Sequence, residues 1–135
     1  MPIITISRGT ESGGARLAES LKDRLGLKVI SREVVVEAAR RYEVGEHDLF
    51  SSLQSPPGFW DKEAKKRQQF ILAVQATLAG MVEDDDVVYH GLSGQLLLRK
   101  LPNVLKVRLI APKEDRVRAA IVAADAVGRS RKRRA

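Results

Sequence analysis

Residues 1–21, MPIITISRGTESGGARLAESL, pass from a β-branched run at Ile3–Ile6 through a glycine-bearing turn into residues spaced as a helix. Ile3, Ile4, Thr5 and Ile6 suit a buried strand. Ala15, Leu17, Ala18, Leu21 and Leu25 recur at the helical period, and Gly26 stands where a helix stops. Between them Gly9 and Gly14 are spaced as G-x-x-x-x-G, with Ser12 and Gly13 inside. In a strand-turn-helix of this kind, glycines let successive backbone N–H groups curl toward phosphate oxygens, and the positive end of the helix reinforces them.

The full phosphate-binding pattern continues with a lysine for the terminal phosphates and a hydroxyl for Mg²⁺. Ala15 and Arg16 occupy those places here. Arg8, Gly9, Thr10, Glu11, Ser12, Gly13, Gly14, Ala15 and Arg16 therefore form a candidate nucleotide cradle built on backbone groups. Arg8 or Arg16 is its source of positive charge, and Ser12 or Thr10 its source of a hydroxyl. The same residues also suit a tight turn that binds nothing.

Outward from this unit, Leu27–Ile30 reads as a second strand, and Ser31 as the N-cap of a helix running toward Tyr42 with Glu33 and Glu37 in its early turns. The stretch EHDLFSSLQSPPGFW (46–60) reads as a loop, broken by Pro56, Pro57 and Gly58 and tethered by Phe59 and Trp60. A long helix is expected over 61–82, with Phe70, Ile71, Val74, Leu78 and Met81 on its apolar face. Val87–Tyr89 reads as a central strand, residues 92–101 as a short helix, 103–112 as a strand and 113–127 as a last helix. Strands and helices alternating at these lengths predict an α/β sandwich of three layers, with a parallel sheet of about four strands covered on both faces.

The 135 residues allow a single domain, expected over 1–127. Five of the seven net positive charges come from Arg129, Arg131, Lys132, Arg133 and Arg134, which leaves +2 for the rest and makes 128–135 a basic tail. Such a tail reads as solvated rather than as a nucleic-acid-binding face, so nucleic acid is not the expected partner. The chain contains no cysteine, which excludes disulfides, thiolate metal sites and a cysteine nucleophile. No stretch approaches the roughly 20 apolar residues needed to span a bilayer, and no signal-peptide pattern opens the chain; a cytoplasmic protein is expected. The apolar face of the 61–82 helix is a candidate homodimer surface.

His90 ends the predicted central strand, where ligands gather in open parallel sheets, and suits either a phosphate contact or a structural histidine. Asp84, Asp85 and Asp86 precede that strand, on the edge away from the ligand crevice, and read as a solvated turn. No metal site is expected from the side chains.

Taken together, ITISRGTESGGARLAESLKDRLG, the helix before DDDVVYHGLSGQLLLRKLPNVLKVRLIAPKEDRVRAA, and the order of elements resemble the cytidylate kinase-like family of P-loop nucleoside monophosphate kinases. The resemblance implies a P-loop NTPase-like fold and phosphoryl transfer from ATP, with Mg²⁺, to a nucleoside monophosphate such as CMP. In that family the opening reads I-S-R-x-x-G-S-G-G-R-x-I-A, so Glu11 and Ala15 replace a glycine and an arginine. The family's VGR corresponds to His90, Gly91 and Leu92, with leucine in place of a phosphate-holding arginine. The resemblance implies substrate-binding roles for Ser31, Arg32, His90 and Gly91, and puts Arg116 and Arg118 beside the transferring phosphoryl group. It stops after Ile121, where the family's lid and C-terminal elements are not matched. The departures leave open a catalytically inactive nucleotide- or anion-binding regulatory module of the same fold.

Overall fold

Every residue from Ile3 to Ile6 is buried because β1 (Ile3–Arg8) runs inside the sheet, flanked by strands on both sides. A computed structural model describes residues 2–54, 63–84 and 86–134. Its sheet holds β1, β2 (Lys28–Ile30), β3 (Val87–Tyr89) and β4 (Val104–Leu109) in the order β2-β3-β1-β4, all parallel. Ile3 is in register with both Val87 and Val104, and Val88 with both Ile4 and Val29. Because every strand runs the same way, all carboxyl ends open on one edge of the sheet, where parallel α/β sheets keep their ligand crevices.

Helices cover both faces. On one, α1 (Gly14–Leu25) sets Leu17, Ala18 and Leu21 against Ile4, Ile6, Leu27 and Val88. On the other, α2 (Glu33–Tyr42), α3 (Glu46–Gln54), α4 (Ala64–Met81) and α5 (Gly94–Leu97) enclose Ile3, Val87 and Tyr89 with Val34, Leu49, Val74, Leu78 and Leu97. Each fully buried leucine or valine of this layer stabilises the fold by about 1.5–3 kcal/mol relative to exposure. Gln75 Nε2 donates to the Leu97 carbonyl at 2.8 Å and fixes α5 on α4. The three-layer sandwich with a four-stranded parallel sheet is the architecture expected from the sequence.

Four local expectations are corrected. Residues 46–54 form α3 rather than a loop: Glu46 and Asp48 lie in its first turn, where the helix dipole favours acids, and Leu49 is fully buried with Phe50 and Leu53 packed beside the core. Pro56, Pro57, Gly58, Phe59, Trp60 and Asp61 lie outside the described residues, as does Asp85. Ser31 does not cap α2 with its side chain; Arg32 is the cap residue, and the Ser31 backbone N–H donates to Glu33 Oε2 at 2.6 Å. The long helix begins at Ala64, and its apolar face is turned inward, with Val74 and Leu78 fully buried.

The last helix, α6 (Lys113–Arg134), runs through Gly128 and takes in the stretch read as a tail. A single interior glycine costs a helix only about 1 kcal/mol, and arginine and lysine are good helix formers favoured near a C-terminus. From Lys113 to Ser130 every residue is exposed except Arg116 and Ala119, which are partly shielded from solvent.

Candidate functional site

The turn between β1 and α1 is held by local bonds to one carbonyl. Ser12 N–H and Ser12 Oγ both donate to the Gly9 carbonyl, at 3.2 and 2.7 Å. Glu11 (φ 55°) and Gly13 (φ 87°) are both left-handed, and Gly13 caps α1. The first N–H groups of α1 have no carbonyl within the helix to bond, and no acidic residue occupies its first turn. Around a Cβ placed on Gly13 nothing lies within 4 Å, so the space before the helix is open. A left-handed glutamate is strained where glycine is not, by about 1 kcal/mol, and its carboxylate repels anions at the turn. Glu11→Gly is therefore expected to hold or raise thermal stability and to tighten triphosphate binding several-fold, read by thermal melting and by titration.

Two arginines press on the glycines of the turn. Nη1 of Arg116, from the first turn of α6, lies 3.0 Å from where a Gly9 Cβ would stand. The Arg8 side chain crosses Gly14 so closely that a Cβ there would collide with Arg8 Cδ. Arg118 is elsewhere: its guanidinium pairs with Asp115 at 3.1 Å on the exposed surface of α6. Thr10, Ala15 and Arg16 are exposed.

Beside the turn, at the carboxyl ends of β1, β2 and β3, lies a cleft of about 270 Å³. Arg8, Ser31, Arg32, His90 and Gly91 line it together with Val35, Phe50, Tyr89 and Leu92. The Arg32 guanidinium stacks over the Phe50 ring at 5.0 Å from its centroid, a cation–π contact that holds the arginine at the rim. Val35, Phe50 and Tyr89 are the lining residues that sequence reasoning missed. The spacing of Leu49, Phe50 and Leu53 was the available signal, hidden by the serines, prolines and glycine that follow. A larger hollow of about 870 Å³ lies between α2 and the end of α4, lined by Glu33, Glu37, Arg41 and Met81 among others. It is away from the glycine turn, so the smaller cleft is the better candidate.

The cleft floor is closely packed. Tyr89 is buried, its hydroxyl donates to the Leu92 carbonyl at 3.0 Å, and burial, with Glu33 nearby, pushes its pKa well above the usual range. Its ring is flanked by Gly91 and Gly94, neither of which has room for a Cβ. The His90 N–H donates to the Ile30 carbonyl at 3.1 Å, while His90 Nδ1 is buried without a partner. Burial first, and Arg8 second, lower the His90 pKa, against smaller opposing effects of Glu33 and Glu19. A histidine depressed in the folded state favours folding above its ordinary pKa, near 6.5, and loses that contribution as pH falls through and below that value. His90→Gln is expected to flatten the fall in melting temperature between pH 7.5 and 5.5; an unchanged slope would assign the fall to other groups.

Among the described residues no group of three or more His, Asp or Glu side chains is placed to hold a metal, and residue 16, where the phosphate-binding pattern puts the Mg²⁺ hydroxyl, is arginine. The residues do not fit a Mg²⁺ held by protein side chains. They do fit a polyphosphate: an open left-handed glycine, a helix N-terminus, the Arg116 guanidinium beside Gly9 and the Arg8 side chain across Gly14 meet there. Among the described residues no helix is long and apolar enough to cross a membrane.

A parallel sheet with a glycine turn at its carboxyl edge and a cleft lined by Arg8 and Arg32 beside it defines an α/β domain with a candidate ligand edge. The chain belongs to the cytidylate kinase-like family, whose model matches residues 3–133. The fold is similar to the crystal structure of an uncharacterized protein from Eubacterium ventriosum ATCC 27560, with a TM-score of 0.63 and 17% sequence identity over 93% of this chain. The chain spans 63% of the length of that protein. No curated protein matches it.

Proposed function

We propose that this chain is a nucleoside monophosphate kinase that transfers the γ-phosphoryl group of ATP to an acceptor such as CMP, in the cytoplasm where both nucleotides are found. The observation that carries this reading is the adjacency, at one sheet edge, of the Gly9–Gly14 turn and the cleft of Ser31, Arg32, His90 and Gly91. The turn is the P-loop: its amides and the α1 N-terminus hold the ATP phosphates, and Arg116 beside Gly9 offsets charge on the terminal phosphate. Arg32 and Ser31 hold the acceptor phosphate, with Phe50 keeping Arg32 in place. An acceptor phosphate oxygen attacks the γ-phosphorus in line; one P–O bond forms, the bond to ADP breaks, and ADP leaves with a nucleoside diphosphate. Arg118 takes part in this reading only by leaving Asp115, an exposed pair of small worth.

A second reading, a regulatory module that binds nucleotide without turnover, is favoured by Ala15 and Leu92, which bring no charge to the turn and the cleft. ³¹P NMR of the protein with ATP, Mg²⁺ and CMP separates the two. Appearance of ADP and CDP resonances supports the kinase; unchanged nucleotides with a folded, ATP-binding protein support the module.

A further inference from the structure

The two halves of the site share one side chain. Arg8 is the last residue of β1, and its aliphatic stem lies across Gly14, with Cγ and Cβ 2.9 and 3.0 Å from a Cβ position on that glycine. The same residue lines the cleft with Ser31, Arg32, His90 and Gly91, and its charge is felt at His90. No other residue of the strand and glycine turn (3–14) lines the cleft. Gly14 immediately precedes residue 15, the position from which a phosphate-binding loop ordinarily sends a lysine to the terminal phosphates, and residue 15 is alanine.

Resting on the proposed kinase reading, we propose that Arg8 is the cation that replaces the absent loop lysine and that it bridges the two nucleotides, contacting the terminal phosphate of the triphosphate and the phosphate of the acceptor. A guanidinium suits this task better than an ammonium, because its planar fork presents donors to two anions at once. Gly14 is then required for more than turn geometry: any side chain there displaces the Arg8 stem and uncouples the two halves. Arg8 is an exposed residue at a strand end and contributes nothing to the core, so its replacement leaves the fold intact.

The test is calorimetric titration of the full chain with ATP and, separately, with CMP, at constant salt. The variants are Arg8→Ala, Arg8→Lys and Arg8→Ala combined with Ala15→Lys, each checked for an unchanged melting temperature. Arg8→Ala is expected to weaken both ligands by about 30-fold, and Arg8→Lys to weaken both less. Adding Ala15→Lys to Arg8→Ala is expected to restore ATP affinity but not CMP affinity, because residue 15 lies in the first turn of α1 and does not line the cleft. A merely structural role for Arg8 would not give a rescue confined to one ligand. If the parent binds both nucleotides and Arg8→Ala binds them equally well, or if the loss is confined to one nucleotide, the bridging role is overturned while the kinase reading stands. If the folded parent binds neither, both fall together.

Discussion

Gly13→Asp is expected to abolish ATP binding while leaving the domain folded. Gly13 caps α1 at φ 87°, and a Cβ there has no protein atom within 4 Å, so an aspartate is accommodated and places its carboxylate at the turn assigned to phosphate. The left-handed backbone costs aspartate about 1 kcal/mol, a modest fall against a domain stability of about 5–15 kcal/mol. Against the ligand the effect is far larger: two like charges about 4 Å apart repel by about 4 kcal/mol at an effective dielectric near 20, or roughly three decades of affinity. Calorimetry and thermal melting of the same preparation check both halves. A variant that binds ATP as tightly as the parent would show that phosphate does not sit on this turn.

Gly91→Ala is expected to destabilise the fold by about 1–3 kcal/mol and to distort the cleft with it. A methyl at residue 91 would overlap the Tyr89 phenol, and that ring is buried between Gly91 and Gly94 with its hydroxyl committed to the Leu92 carbonyl. The ring is also closely approached from Gly94, where a Cβ position lies only 2.5 Å from Tyr89 Cδ1. The melting temperature should fall by several degrees and CMP binding should weaken, whereas ATP binding, on the other side of Arg8, should change less. Equal stability of Gly91→Ala and parent would mean that the tyrosine relaxes freely and that the cleft floor is softer than its packing implies.

The sheet was legible in the sequence because its two inner strands are short apolar runs, and the edge strand β4 alternates apolar residues with Lys106 and Arg108. Ile3–Ile6 and Val87–Tyr89 are both buried on two faces, so their composition alone marks them. The glycine turn was equally plain, since Gly9, Gly14 and the helix stop at Gly26 each sit where local geometry needs them; Gly26 is indeed left-handed. What went unread was α3: Leu49, Phe50 and Leu53 carry a helical spacing, but the serines, prolines and glycine around and after them mask it, and the burial of Leu49 against the core is a tertiary effect. With α3 unread, Phe50 and its hold on Arg32 were invisible. The convergence of Arg8 and Arg116 on two glycines of one turn likewise depends on how β1 and α6 meet at the sheet edge. No spacing rule links residue 9 to residue 116.

The separation of the turn and the cleft into two nucleotide positions is the central claim, and titration of CMP into the ATP-saturated protein tests it most directly. Two adjoining positions predict that CMP binds saturably, at about one per chain, with affinity equal to or tighter than that measured without ATP. CMP that fails to bind, or that binds only by displacing ATP from a folded protein, would contradict a kinase with separate donor and acceptor positions.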